Sequence, residues 1–159
     1  MPQATQPDRR IVVGVDGSPC SEKALRWAIA QARLTGAQVQ AIASWQDPVA
    51  AGYSLGLMPA LDGDADWAVI TEKYLRESVA RAVDQLQPEV EILTRVVQGH
   101  PAQVLLDAAA LAELLVVGSR GHGTVAGMLL GSVSQHCVQH APCPVVVVPH
   151  DHSAEPTQP

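Results

Sequence analysis

Ile11-Val12-Val13-Gly14-Val15-Asp16-Gly17-Ser18-Pro19 is the stretch on which the fold turns. Its first five residues form a continuous apolar run, the pattern of a strand buried on both faces in a parallel sheet. Asp16 to Pro19 end that run. Ser18 suits the N-cap of a following helix, and Pro19 its first position, where no backbone N–H is needed. Leu25, Ala28, Ile29 and Ala32 then recur at helical spacing, and Gly36 supplies a helix stop. Val39 to Trp45 reads as a second strand, so the chain opens with a strand–helix–strand unit.

The same alternation continues outward. A helix from Trp67 carries Leu75, Val79, Ala82, Val83 and Leu86 on one stripe, and Pro88 closes it. Val90 to Val97 alternates with Glu91 and Arg95 in its first part, as expected of a strand near a sheet edge. Pro101 opens a short helix with Val104, Leu105, Ala108 and Leu111. Leu114 to Val117 is a buried strand, Ser132 to His140 a helix, and Val145 to Val148 a last strand between Pro144 and Pro149. Five strands alternating with four helices predict a single-domain, Rossmann-like α/β fold: an open five-stranded parallel sheet with helices on both faces. Residues 10–149 form the domain, with residues 1–9 and 150–159 as flexible ends. Residues 46–66, which contain Pro48, Gly52, Gly56, Pro59 and Gly63, read as a long mobile loop beside the sheet.

Composition excludes several function classes. With 10 Lys and Arg against 16 Asp and Glu, the net charge is −6, the wrong sign for a nucleic-acid backbone binder. Aromatics make up 3 % of the chain and Phe is absent, so a base-stacking platform has almost no material. No apolar run is long enough to span a bilayer, and the polar start leads straight into the first strand. Three cysteines, Cys20, Cys137 and Cys143, are too few and too odd for a disulfide framework. The expectation is a cytoplasmic protein with reduced thiols.

In open α/β sheets ligands bind beyond the C-terminal strand ends, where strand order reverses. The loop after the fourth strand is the richest in chemistry: Gly118-Ser-Arg-Gly121-His, then Leu-Leu-Gly131-Ser132-Val-Ser134 at a helix start. Gly118 and Gly121 permit close backbone approach, and Gly131 and Ser132 bring free N–H groups and a hydroxyl to the positive end of the helix dipole. Such an arrangement holds phosphates with few cations. Read without a ligand, the same glycines shape a long connection and Ser132 caps a helix. Asp16, where a buried strand meets a helix N-terminus, suits a hydroxyl or Mg²⁺, or simply the turn Asp-Gly-Ser.

The spacing Gly118-x2-Gly121-x9-Gly131-Ser132 resembles the nucleotide motif of the universal stress protein family, in its ATP-binding branch. Ile-Val-Val-Gly-Val-Asp16-Gly-Ser is similar to that family's first strand, Leu-Val-Val-Gly118-Ser-Arg-Gly121 to its fourth, and Cys-Pro-Val-Val-Val-Val-Pro to its closing strand. The resemblance runs from Arg10 to about Pro149. It implies strand order 3-2-1-4-5 and an ATP site, with Mg²⁺, at the ends of strands one and four. In it Gly14, Val15 and Ser44 would frame the adenine, and Asp16 would lie by the ribose or the metal. Gly118, Gly121, Gly131, Ser132, Val133 and Ser134 would hold the phosphates; Arg120, which the motif does not fix, either screens their charge or is a solvated surface arginine. It also implies a homodimer through the last strand, Val145, Val146, Val147 and Val148. The function expected is a nucleotide-dependent regulatory switch in stress response, whose downstream protein partner the sequence does not name.

Two rival readings use the same pocket. One is a slow ATPase or nucleotidyl hydrolase, for which Asp16 and His122 are the only nameable candidates and neither has a visible partner. The other is a binder of AMP or cyclic AMP. No Walker A motif is present, and no Ser-His-Asp set has meaningful spacing. His136, Cys137, His140 and Cys143 cluster in sequence but lack the paired Cys-x-x-Cys of structural zinc, and Cys137 points away from His136 around the helix. They read as solvated histidines and a half-buried cysteine.

Overall fold

The computed structural model describes residues 9–47, 66–122, 127 and 129–151. The nine elements among them are β1 (Arg10–Gly14), α1 (Pro19–Thr35), β2 (Gln38–Trp45), α2 (Trp67–Leu86), β3 (Ile92–Gln98), α3 (Pro101–Ala109), β4 (Leu114–Gly118), α4 (Ser132–His140) and β5 (Val145–Val148). All strands pair in parallel in the order β3-β2-β1-β4-β5. The chain steps outward from β1 through β2 to β3, then returns to the other side of β1 for β4 and β5. The order therefore reverses between β1 and β4, and their C-terminal ends flank the crevice.

Period-two alternation along the inner strands explains why both faces are covered. Ile11, Val13, Val39, Ala41, Ala43 and Val116 point to one face and are buried under α1 and α2, with Leu25, Ala28, Ile29 and Leu75 packed on them. Val12, Ile42, Leu115 and Val117 point to the other, under Val104, Leu105 and Ala109 of α3 and Cys137 of α4. With no Phe available, aliphatic side chains of medium size fill both layers.

Local chemistry sets the helix ends. Ser18 caps α1 by accepting from the Ser21 N–H at 3.2 Å, and Pro19 takes the first turn. Gly36 stops α1 at φ 75°, its N–H on the Ala32 carbonyl. Gln87, in the left-handed region at φ 42°, stops α2 one residue ahead of the expected Pro88. The stripe of α2 follows that expected in Leu75 and Ala82, which are buried, and in Val79 and Leu86, which pack on the core, but Thr71 and Ser78 join it and Val83 is exposed. In α3 the helix ends at Ala109, leaving Leu111 exposed outside it. Strand β3 begins at Ile92, two residues after the expected Val90, and it does lie at a sheet edge.

Most of the expected loop, 48–65, and of the two ends, 1–8 and 152–159, lies outside the described residues. No described helix is long and apolar enough to cross a membrane. His150 and Asp151 are held: the His150 N–H donates to Ser119 Oγ at 3.0 Å, and Lys23 Nζ reaches Asp151 Oδ1 at 2.5 Å.

Candidate functional site

A cavity of about 410 Å³ opens at the C-terminal ends of β1 and β4, within the range of small-molecule sites. Its lining is of two chemical kinds, aliphatic and polar. Ile42 of β2 and Pro101, Val104 and Leu105 of α3 give it an aliphatic wall, completed by Gly14, Val15, Ser44 and Val117. Asp16, Arg120, Gly121, His122, Ser132 and Ser134 also line it, with Ser21, Gly118 and Val133, the last packed against the same aliphatic cluster as Val104 and Leu105.

The turn after β1 is built by its own side chains. Asp16 Oδ1 accepts the Ser18 N–H at 2.9 Å, an Asx turn, while the Asp16 N–H donates to Ser21 Oγ at 3.2 Å. That leaves Oδ2 facing the β4 loop, against Gly121. His122 Nε2 sits 2.8 Å from the Asp16 carbonyl oxygen, linking the two loops across the cavity. Tyr74 of α2 lies over Gly17 on the far side of the turn. Burial, and then the Asp16 carboxylate, raise the Tyr74 phenol above its ordinary value.

Ser119, buried just past β4, ties the glycine loop to the sheet. Its N–H donates to the Val148 carbonyl at 2.8 Å. Its carbonyl accepts the Gly131 N–H at 2.7 Å and the Ser134 hydroxyl at 3.0 Å. The start of α4 is thereby fixed beside the end of β4. Gly131 is the N-cap of α4 and lends no side chain, so Ser132, Val133 and Ser134 present the first-turn N–H groups. Such groups and the helix dipole favour an anion.

Of the residues expected at a nucleotide site, Gly14, Val15, Asp16, Ser44, Gly118, Arg120, Gly121, Ser132, Val133 and Ser134 all line this cavity. Gly131 does not line it. It stands behind, buried, with its N–H on Ser119. Ser132 is not the cap but the first helical residue, and the Ser134 hydroxyl is engaged with the Ser119 and Gly131 carbonyls, each at 3.0 Å. Sequence reasoning missed Ser21, Ile42, Val117 and the α3 contribution of Pro101, Val104 and Leu105. Apolar periodicity marks these as core but does not say which core residues border a cavity.

The expected cysteine and histidine cluster divides. Cys137 is wholly buried, and burial pushes its thiol up to about 11, while Cys143 is the half-buried one. His136 and His140 are exposed. Among the described residues no three or more metal-ligating side chains converge.

Comparison with known proteins places the fold. Residues 8–149 match the model of the universal stress protein family. A universal stress protein of Mycolicibacterium smegmatis is 36 % identical over 138 residues, which are 87 % of this chain and 45 % of that protein. The chain spans about half the length of the curated relatives it matches. A crystal structure of a universal stress protein in complex with cAMP is 29 % identical, with TM-score 0.64 over 90 % of this chain and 98 % of its own. A universal stress protein of Archaeoglobus fulgidus in complex with dAMP, at 24 % identity, shares the fold with TM-score 0.61 over 90 % and 99 % of the two chains. The chain belongs to the universal stress protein family.

Proposed function

We propose that this chain is a cytoplasmic regulatory protein of stress response that holds ATP with Mg²⁺ between β1 and β4 and works as a nucleotide-dependent homodimer joined through β5. The observation that carries the reading is the mixed lining of this cavity. Its aliphatic residues suit a base plane, and its polar ones offer N–H and hydroxyl donors with, among the described residues, a single Arg. The fourfold negative charge of a free triphosphate exceeds what Arg120 and a helix N-terminus offset. Asp16 has one carboxylate oxygen uncommitted to Ser18 and directed at the Gly121 turn, which fits a residue that holds Mg²⁺. The metal would neutralise the phosphate oxygens there, while Ser132 and the first turn of α4 orient them.

AMP or cyclic AMP is the second reading. The scarcity of cations favours a ligand of lower charge, and the relative at 29 % identity was crystallised with cAMP. Binding rather than turnover is the activity we infer. Hydrolysis needs a group that orients an attacking water, and the His122 nitrogen nearest Asp16 is occupied by its carbonyl.

The test begins with untagged, freshly purified protein, denatured so that any released small molecule is identified by mass spectrometry. Titration calorimetry with ATP, AMP and cyclic AMP, with and without Mg²⁺, follows, with Gly131→Val as control. ATP binding that needs Mg²⁺ and fails in the variant supports the first reading. Tight, metal-independent AMP or cyclic AMP binding moves it to the second. No binding of any of the three removes both.

A further inference from the structure

Helix α4 ends in His136 and His140, one turn apart on its exposed side, with ring centres 4.6 Å apart and planes tilted by 49°. The neighbouring thiols face elsewhere. Cys137 is fully buried among Val12, Leu115 and Val117, and Cys143 packs on the same cluster with its thiol by the Leu115 backbone. The four residues that cluster in sequence therefore become two exposed imidazoles, one fully buried thiol and one half-buried thiol.

We propose that His136 and His140 form a two-imidazole site for a labile divalent transition metal, Zn²⁺ or Cu²⁺, with water filling the remaining positions. Metal–nitrogen bonds of about 2.0–2.1 Å put the two donor nitrogens roughly 3–4 Å apart. Rings with centres 4.6 Å apart meet that spacing with modest side-chain rotation. Neutral imidazole suits these borderline cations, and the order of affinities places Cu²⁺ above Zn²⁺. Local charge favours the same outcome. The site lies at the carbonyl end of α4, where the helix dipole attracts a cation. Arg120 is the last Lys or Arg in the sequence, so α4 and everything after it carry no fixed positive charge. The rings already touch, which lowers the ordering cost of chelation. Bridging positions four apart also clips the last turns of a helix only nine residues long.

The test is calorimetric titration of the untagged protein with Zn²⁺ alone, repeated for His136→Ala, His140→Ala and the double change Val138→His with His140→Gln. The last keeps two histidines but sets them two residues apart, where they do not share a face. The expected result is one equivalent of Zn²⁺ on the wild type, at least tenfold weaker binding in all three variants, and a thermal midpoint raised by Zn²⁺ in the wild type alone. Circular dichroism without metal checks that these exposed changes leave the fold intact. Absence of saturable binding in the wild type overturns the proposal. So does binding of undiminished strength in either alanine variant or in the respaced pair.

Discussion

Gly121 and Asp16 meet so closely that a Cβ on Gly121 would stand 2.5 Å from Asp16 Oδ2. The first turn of the β4 loop is thus seated on the carboxylate at the end of β1, across the point where strand order reverses. The close approach, not a left-handed backbone, is what favours glycine here, and Asp16 has little room to yield because its Oδ1 is held by the Ser18 N–H. Gly121→Ala must push the loop and the carboxylate apart. The expected result is at least a tenfold loss of nucleotide affinity by calorimetry, with the protein still folded. Combining it with Asp16→Ala removes the clashing group, so the second loss should be much smaller than the first. Wild-type affinity in Gly121→Ala would show that this contact does not set the geometry of the site.

Gly118 is held to its identity by a different neighbour. A Cβ there would meet Cys20 Sγ at 2.9 Å and the Cys20 carbonyl carbon and oxygen at 3.0 and 3.1 Å. Backbone does not yield as a side-chain tip does, so Gly118→Ala should lift α1 from β4 at a cost of about 1–3 kcal/mol. Gly14→Ala is the comparison, because there the nearest atoms belong to the end of the Leu105 side chain, at 2.8 Å. Urea unfolding should rank Gly118→Ala as the more destabilised of the two. An equal or reversed order would mean that α1 and β4 are less tightly seated.

Cys137 gives stability a signature at alkaline pH. Burial raises its thiol from an ordinary 9.0 to about 11, so between those values the folded chain keeps a proton that the unfolded chain has lost. Its contribution is fully present below about pH 9 and declines as pH rises towards 11, by on the order of 3 kcal/mol in all. Unfolding free energies measured at pH 8 to 11 should therefore fall more steeply for the wild type than for Cys137→Ala. Parallel curves would refute the burial seen for this thiol. In the native state the same thiol should react with disulfide reagents far more slowly at pH 8 than it does in urea.

The strands were readable because burial on both faces writes an uninterrupted apolar run, as in Ile11–Val15 and Leu114–Val117. Helix boundaries were readable wherever a single residue has one conformational reason to be there, as with Ser18, Pro19 and Gly36. The stripe of α2 was less so. Thr71 and Ser78 face the core and Val83 faces out, because packing at the sheet margin accepts small polar residues that periodicity counts as surface. At the site, the glycine spacing pointed to a loop that borders the cavity, but Gly131, expected there as a phosphate holder, is not among the lining residues. Its role behind the wall depends on a carbonyl, Ser119, whose direction no residue pattern records. Leu105 and Ile42 entered the cavity unannounced for the same reason: a core residue and a cavity residue share one composition.

The free edge of β5 decides whether a dimer can form as proposed. Along β5, the carbonyls of Pro144, just before the strand, and of Val148 accept from Leu115 of β4 and from Ser119 just past it. Strand alternation then turns the polar groups of Val146 inward too, and those of Val145 and Val147 to the open edge. Proline at an outward position removes a donor that only a partner would use, whereas at an inward one it breaks the ladder to β4. Val147→Pro should accordingly yield a folded monomer in analytical ultracentrifugation, with its thermal midpoint, measured at a dilution where the wild type is also monomeric, near that of the wild type. Val146→Pro should lower stability markedly. If Val147→Pro sediments as the same oligomer as the wild type, the edge of β5 is not the contact, and the exposed side of α4 with Leu129 and Val138 becomes the surface to probe.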